Sequence, residues 1–408
     1  MNLPECGKPV PVEIVHANGS YHLLRGGERM RIQGAGGTKR LDLLKKFGGN
    51  AVRTWHLDDL PPVLSAAQHH SLAVAAGIWM EHKRHGFDYT NSSLVTEQRE
   101  KIREAVRRFR NHPALLLWGA GNEVELDEER PEVWKAINDV AEMIHEEDPL
   151  HPVYTVIAEA TPSKIEALQE FCPGIDLLGV NSYNDMENLG NRLVSLGWDR
   201  PFIVTEFGPA GYWEVETTEW GAEIEETSTE KAEHYRRAYE GTVVRHADLC
   251  LGSFAFFWGQ KQERTSTWFS LFLPDGTRLE PTDTLKHLWT GTWPETRCPT
   301  ILDIPKPITG RRFPPGSRQE AFLAAGHPEG EPFFIEAIVA AESRDKRSGG
   351  DPEEAPPVFP EAVKEISDDR IVFAVPENPG PYRLHITVRG PQDTAASANF
   401  PFWAGAKG

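Results

Sequence analysis

Along the first 260 or so positions, short apolar runs alternate with segments whose apolar residues recur at three- and four-residue spacing. A compact apolar run bounded by turn formers reads as a strand buried on both faces, and the wider spacing reads as an amphipathic helix. The runs predict strands at 30–34, 51–55, 72–80, 114–121, 152–157, 175–181, 201–205 and 249–258. The spaced segments predict helices at 39–47, 60–71, 95–109, 131–145, 162–171, 188–196, 229–246 and 282–289. Leu41, Leu43, Leu44 and Phe47 set the spacing of the first, and Ile102, Val106 and Phe109 that of the third; Pro162 opens the fifth at its first turn. Strictly alternating strands and helices in these numbers predict an α/β fold, a closed (β/α)8 TIM barrel. A doubly wound open sheet accommodates the same alternation, but it gives no reason for two distant strands to end in the same catalytic residue type. Before the first strand, 12–29 reads as a hairpin with turns at Asn18-Gly19-Ser20 and Gly26-Gly27, suited to plugging the barrel bottom.

After Trp293 the texture changes. Proline-rich 299–316 reads as a linker and entry strand, and 333–341, 371–374, 382–388 and 395–403 read as further strands. The charged, Pro- and Gly-containing stretch 343–360 reads as a long exposed loop. These strands fit a small C-terminal β-sandwich, Ig-like in size at about 100 residues. The expected organisation is therefore a catalytic barrel with its N-terminal hairpin over 1–294 and an accessory β-sandwich over 295–408, the latter serving as scaffold.

Composition narrows the function classes. The 408 residues carry 43 basic and 61 acidic side chains, a formal charge of −18. That balance disfavours nucleic acid and anionic membranes, which reward lysine and arginine. No run approaches the ~18 apolar residues of a membrane span. The first residues, Met1-Asn2-Leu3-Pro4-Glu5-Cys6, lack a basic region followed by an apolar core, so no leader is expected in the chain as given; location stays open between the cytoplasm and export after removal of a leader. Cys6, Cys172, Cys250 and Cys298 are widely spaced without a CxxC, which predicts free thiols and no metal centre.

Two strings carry the chemistry. Leu116-Leu117-Trp118-Gly119-Ala120-Gly121-Asn122-Glu123 and Phe202-Ile203-Val204-Thr205-Glu206-Phe207-Gly208 are apolar runs that each end in a glutamate. The carboxyl end of a barrel strand lies at the mouth, where catalytic groups of this fold sit. Two carboxyl groups facing each other there suit glycoside hydrolysis: one protonates the leaving oxygen while the other attacks the anomeric carbon, at a separation of about 5–5.5 Å in retaining enzymes. Such chemistry needs no cofactor.

In this context Trp118-Gly119-Ala120-Gly121-Asn122-Glu123 resembles the Asn-Glu signature of clan GH-A, the retaining β-glycosidases with barrel folds, and Val204-Thr205-Glu206-Phe207-Gly208 resembles that clan's nucleophile strand. The nearest likeness is to the barrel domain of glycoside hydrolase family 2, over roughly residues 30–290. The resemblance implies that Glu123 is the general acid/base and Glu206 the nucleophile. It implies that Asn122 binds the sugar 2-hydroxyl, that Arg53 keeps Glu206 ionised, that Tyr183 touches the nucleophile, and that Trp258 is a sugar platform at the end of strand eight. Asn181, in the string that leads to Tyr183, joins the substrate-binding set. The stretch before the barrel is too short for the N-terminal sandwich domains of family 2, which puts any one family 2 substrate in doubt.

Softer signals lie on the loops expected at the mouth. Trp55, His56, His82 and Gln260 are candidate sugar contacts, and Lys83 with Arg84 would suit an acidic sugar, although solvated loop charges are the commoner reading. His82 and His85 have HxxH spacing without a spaced carboxylate partner for a metal. Tyr212-Trp213 and Trp220 either line aglycone subsites or anchor their loop. The expected activity is retaining β-glycoside hydrolysis on a β-glucan-like oligo- or polysaccharide. A transglycosylase using the same glutamates and a non-catalytic carbohydrate-binding barrel are the alternatives.

Overall fold

The computed structural model describes residues 8–126, 129–305, 308–347 and 350–405. It divides into two compact units, one running to Phe207 and taking in Arg237–Phe256, the other comprising Gly208–Arg236 and the chain from Phe257 onward.

In the first unit eight parallel strands close into a barrel. In chain order they are Ile32–Gly36, Ala51–Arg53, Ala73–Ile78, Leu115–Ala120, Val153–Ala158, Leu177–Asn181, Phe202–Phe207 and Cys250–Ala255. Each pairs with its sequence neighbours, and the eighth pairs with the first through Gly252 and Ile32. Every residue of strands three, four, seven and eight is buried, the uniform burial expected when helices cover one face and the barrel interior the other. Inside, Ile32, Ala75, Leu117, Tyr154, Val156, Leu177, Ile203 and Phe254 belong to one apolar cluster.

The expected N-terminal hairpin is a three-stranded meander, Val12–Ala17, Ser20–Arg25 and Glu28–Met30. Val12 and Leu23 join the interior cluster. The Val12 N–H donates to Leu150 O (2.9 Å) and the Tyr21 N–H to Asp248 O (2.7 Å), both just before strands five and eight begin. The meander therefore covers the barrel end opposite the mouth.

Strand seven runs two residues beyond its expected end, because Glu206 pairs with Asn181 and Phe207 with Ala255. The helix expected over 229–246 is α-helical only over Ser228–Ala238 and widens to a π-helix over Tyr239–Val244. The widened turn places the Thr242 hydroxyl where it accepts from the Gly190 N–H (3.1 Å) on the neighbouring helix Met186–Ser195.

The second unit contains a β-sandwich. One sheet orders Arg278–Leu279, Thr394–Ala404, Gly380–Gly390, Phe334–Ala341 and Val358–Phe359; the other orders Arg318–Phe322, Arg370–Ala374 and Val363–Ile366. Leu384, Ile386 and Val388 alternate inward with period two and pack with Val339, Phe373 and Phe402. The stretch after strand seven belongs to this unit: buried Glu225 accepts from Lys231 (2.5 Å) and from Asn399 Nδ2 (2.5 Å), and the Glu223 carbonyl accepts from Arg383 (2.9 Å). The 343–360 loop is not exposed throughout, since Glu353 is buried and binds the Arg264 guanidinium at 2.6 Å.

Candidate active site

Arg53 ends strand two, and its guanidinium is 1% exposed. Nη1 donates to Glu206 Oε1 (2.7 Å) and to Thr205 O (3.1 Å), and Nη2 donates to Asn122 Oδ1 (2.6 Å). Burial disfavours the arginine charge, but the Glu206 carboxylate and the Tyr154 hydroxyl outweigh it and hold the guanidinium above its ordinary range. Two further donors reach Glu206: Trp55 Nε1 to Oε1 (2.9 Å) and Tyr183 Oη to Oε2 (2.8 Å). Each has a local origin. Tyr183 follows strand six by two residues, and Trp55 follows strand two by two residues, so both lie at the mouth. A carboxylate with three donors on its two oxygens is fixed in orientation.

Glu123 has the opposite surroundings. It lies just past strand four on a turn whose backbone is left-handed, with φ +51°. Its N–H donates to Val156 O (2.9 Å), and its carbonyl accepts from the Leu126 N–H (3.0 Å). The glycines before it serve this path. A Cβ at Gly119 would meet the Tyr154 ring at 2.7 Å, and Gly121 itself adopts φ +82°. Among the described residues the Glu123 carboxyl has one side-chain donor, Asn181 Nδ2 at 2.8 Å, which also reaches Asn122 Oδ1 at 3.2 Å. Thr205 Oγ1 donates to Asn181 Oδ1 (2.7 Å) and so fixes which end of the amide faces the glutamate. Burial first, then the nearby Glu206 charge, pushes Glu123 up to about 8. The two carboxyl groups thus have unlike surroundings: one is bound by three donors, and the other is raised by burial.

Arg53, Trp55, Asn122, Glu123, Asn181, Tyr183 and Glu206 thus come together in one hydrogen-bonded cluster. His56, next to Trp55 on the loop after strand two, and His82, on the loop after strand three, each stack on Trp79 with ring centroids 4.7 Å apart. His56 is exposed and His82 is buried with Arg84 against its Nδ1. Trp258 and Gln260 belong to the second unit. There Trp258 is fully buried, edge-on to Phe272, and Gln260 is exposed. Three residues of the first unit escaped the sequence reading. Trp79 ends the third apolar run, and Tyr154 lies inside the fifth strand; both look like core positions in sequence. Glu125 is 1% exposed in the turn after Glu123, a position that reads as solvated loop.

Among the described residues no group of three or more His, Cys, Asp or Glu side chains could hold a metal ion, and no helix is long and apolar enough to cross a membrane. Cys172, Cys250 and Cys298 are buried free thiols, and Cys6 lies outside the described residues.

Residues 35–213 match the family model of the glycosyl hydrolases family 2, TIM barrel domain. That span carries every residue of the hydrogen-bonded cluster. Among solved structures, the chain is similar to a Bifidobacterium dentium β-glucuronidase complexed with coumarin-3-O-glucuronide (TM-score 0.53, 18% identity, 69% of this chain and 49% of that one). It is similar to a Ruminococcus gnavus β-glucuronidase (0.52, 15%, 70% and 53%). It is also similar to a Bacteroides uniformis β-glucuronidase 2 covalently bound to cyclophellitol-6-carboxylate aziridine (0.56, 13%, 96% and 48%). At these identities the likeness is one of fold, and the chain spans about half the length of these structures. A comparison with curated proteins finds no match. Through its barrel the chain is related to glycoside hydrolase family 2, the relation that the two glutamate-terminated strands imply.

Proposed function

We propose that this chain is a retaining β-glycoside hydrolase in which Glu206 is the nucleophile and Glu123 the general acid/base. The observation that carries the reading is the contrast between the two carboxyl groups. Arg53, Trp55 and Tyr183 all donate to Glu206, whereas Glu123 has one side-chain donor, Asn181, and is pushed up to about 8.

In the first step a Glu206 oxygen attacks the anomeric carbon as the glycosidic bond breaks. The Glu123 proton passes to the departing oxygen. The covalent ester neutralises the Glu206 charge, which removes the second-largest cause of the raised Glu123 value. Glu123, now a carboxylate, then takes a proton from the attacking water, and the ester bond to Glu206 breaks. Arg53 and Tyr183 stabilise Glu206 as it departs, and Asn122, held by Arg53, presents its amide to the sugar 2-hydroxyl.

The proposed substrate is a β-glucan-like oligo- or polysaccharide. One observation favours a second reading, a β-linked uronic acid: Lys83 is exposed and Arg84 half-buried on the loop after strand three, beside His82. The solved structures of similar fold are themselves described as β-glucuronidases. Incubation with β-glucans, β-mannans, aryl β-glucosides and aryl β-glucuronides, beside Glu206→Ala, tests both readings. Turnover by the parent alone, with azide yielding an α-glycosyl azide from an aryl β-glycoside in the variant, supports the assignment of Glu206. Binding without turnover across the panel would favour a carbohydrate-binding barrel. Transfer to added sugar in preference to water would favour a transglycosylase.

A further inference from the structure

The turn that presents Glu123 is fastened from below by a buried ion pair. Glu125, two residues on, turns its carboxylate back toward the end of strand five. There Oε1 accepts from the Ala158 N–H (2.9 Å) and from Lys164 Nζ (3.1 Å). Lys164 Nζ also donates to the Ala158 carbonyl, so the pair holds both polar groups of that residue's backbone. The Glu125 side chain is fully buried and that of Lys164 is 8% exposed.

Two features indicate that this pair is built for the turn. Lys164 is in the first turn of the helix Pro162–Phe171, where the helix dipole disfavours a cation, so its placement serves Glu125 rather than the helix. Glu123 is the left-handed residue in the turn, a conformation that L side chains hold only when neighbours determine it. Its own N–H bond to Val156 and the Glu125 bond to Ala158 pin the turn to alternate residues of the same strand.

We infer that the Glu125–Lys164 pair is a positioning device that staples the Glu123 turn to strand five and thereby aims the acid/base carboxyl. This rests on the acid/base role proposed for Glu123. The groups acting on the Glu123 charge are Glu206 from strand seven, Asn181 from strand six, Arg53 from strand two and Glu125 from its own turn. Lys164 faces Glu125 from the helix. Glu125 thus acts on Glu123 through the turn that it fixes to Ala158 and Lys164.

The test is Glu125→Gln in the full chain, assayed on two aryl glycosides of one sugar. A 2,4-dinitrophenyl leaving group departs without protonation, and a phenyl group needs the acid. Proton donation contributes about 10²–10⁴-fold. The expected result is a loss of kcat/KM of about tenfold or more on the phenyl glycoside and a change under about threefold on the dinitrophenyl one. Equal losses on both substrates would overturn the positioning role. Glu123→Gln runs alongside. If it too lost both substrates equally, the acid/base assignment and the positioning role would fall together; selective loss there with even loss in Glu125→Gln would sink the positioning role alone. Should Glu125→Gln not fold, Glu125→Gln with Lys164→Met leaves no unpaired buried charge and carries the same comparison.

Discussion

Replacing Glu123 by Gln should make the protein more stable in alkali while removing the proposed acid catalyst. Glutamine keeps the acceptor oxygen that Asn181 Nδ2 reaches at 2.8 Å, but it carries no charge at any pH. In the parent, Glu123 is raised by burial and by Glu206 from the ordinary 4.5 to about 8. The sign follows from linkage. The folded state binds this proton more tightly than the unfolded chain does, so the proton's contribution is fully present below about 4.5. It is lost progressively as pH rises to about 8, and the loss is complete above that. One pKa unit corresponds to about 1.4 kcal/mol, which makes the upper limit roughly 5 kcal/mol. Solvent at the open mouth screens part of that, and about 2–3 kcal/mol is the expected gain for Glu123→Gln at pH 9 over pH 4.5. At about 2–4 °C per kcal/mol for a domain of this size, the variant's Tm advantage should grow by several degrees. Urea unfolding of both proteins at half-unit steps from pH 4.5 to 9 measures the difference, from which titrations common to both cancel. A difference that stays flat across that window would refute the raised proton affinity, and with it the division of labour between the glutamates. In the parent, kcat/KM for substrates with poor leaving groups should fall as pH rises through about 8, because the acid form is then lost.

Tyr183→Phe removes one donor from Glu206 Oε2 and little volume; a hydrogen bond to a charged group is worth about 1.5–3 kcal/mol, so kcat should drop roughly 10- to 150-fold with little change in Tm. An unchanged kcat would mean that the hydroxyl contributes nothing to the reacting carboxylate. Gly77→Ala should be severe for another reason: a Cβ there would meet the backbone Cα of Trp55 at 2.7 Å, between strands two and three. The expected outcome is insoluble protein or a Tm lower by roughly 6–12 °C, on the order of 3 kcal/mol of overpacking; a variant with parental Tm would contradict the close strand packing.

The alternation of apolar runs and helical spacing fixes the strand count and the position of both glutamates at run ends, because a strand covered on both faces must be apolar throughout. Strand ends drift by up to three residues; that of strand seven, for one, depends on pairing with Asn181 and Ala255 of its neighbours. Neither the π-helical turn at Tyr239–Val244 nor the left-handed Glu123 leaves a local signature, because each is set by what packs against it.

Arg53, Asn122, Asn181 and Tyr183 are legible as strand-end polar residues, but their partners are not. No sequence rule says that Trp55 spends its N–H on Glu206, or that Asn181 bridges Asn122 and Glu123. Nor does one say that Glu125, apparently a loop carboxylate, is buried on Lys164, which lies 39 positions further on. The stretch 208–236 reads as a continuation of the barrel, yet Glu225 and Lys231 tie it to the unit of the β-sandwich. Which residue types stand at the ends of which strands is written locally, because a strand covered on both faces shows in its hydrophobicity. Which of those groups touch, and hence which carboxyl group is surrounded by donors and which is raised by burial, is set by folding, because proton affinity depends on burial and on distances between residues far apart in the chain.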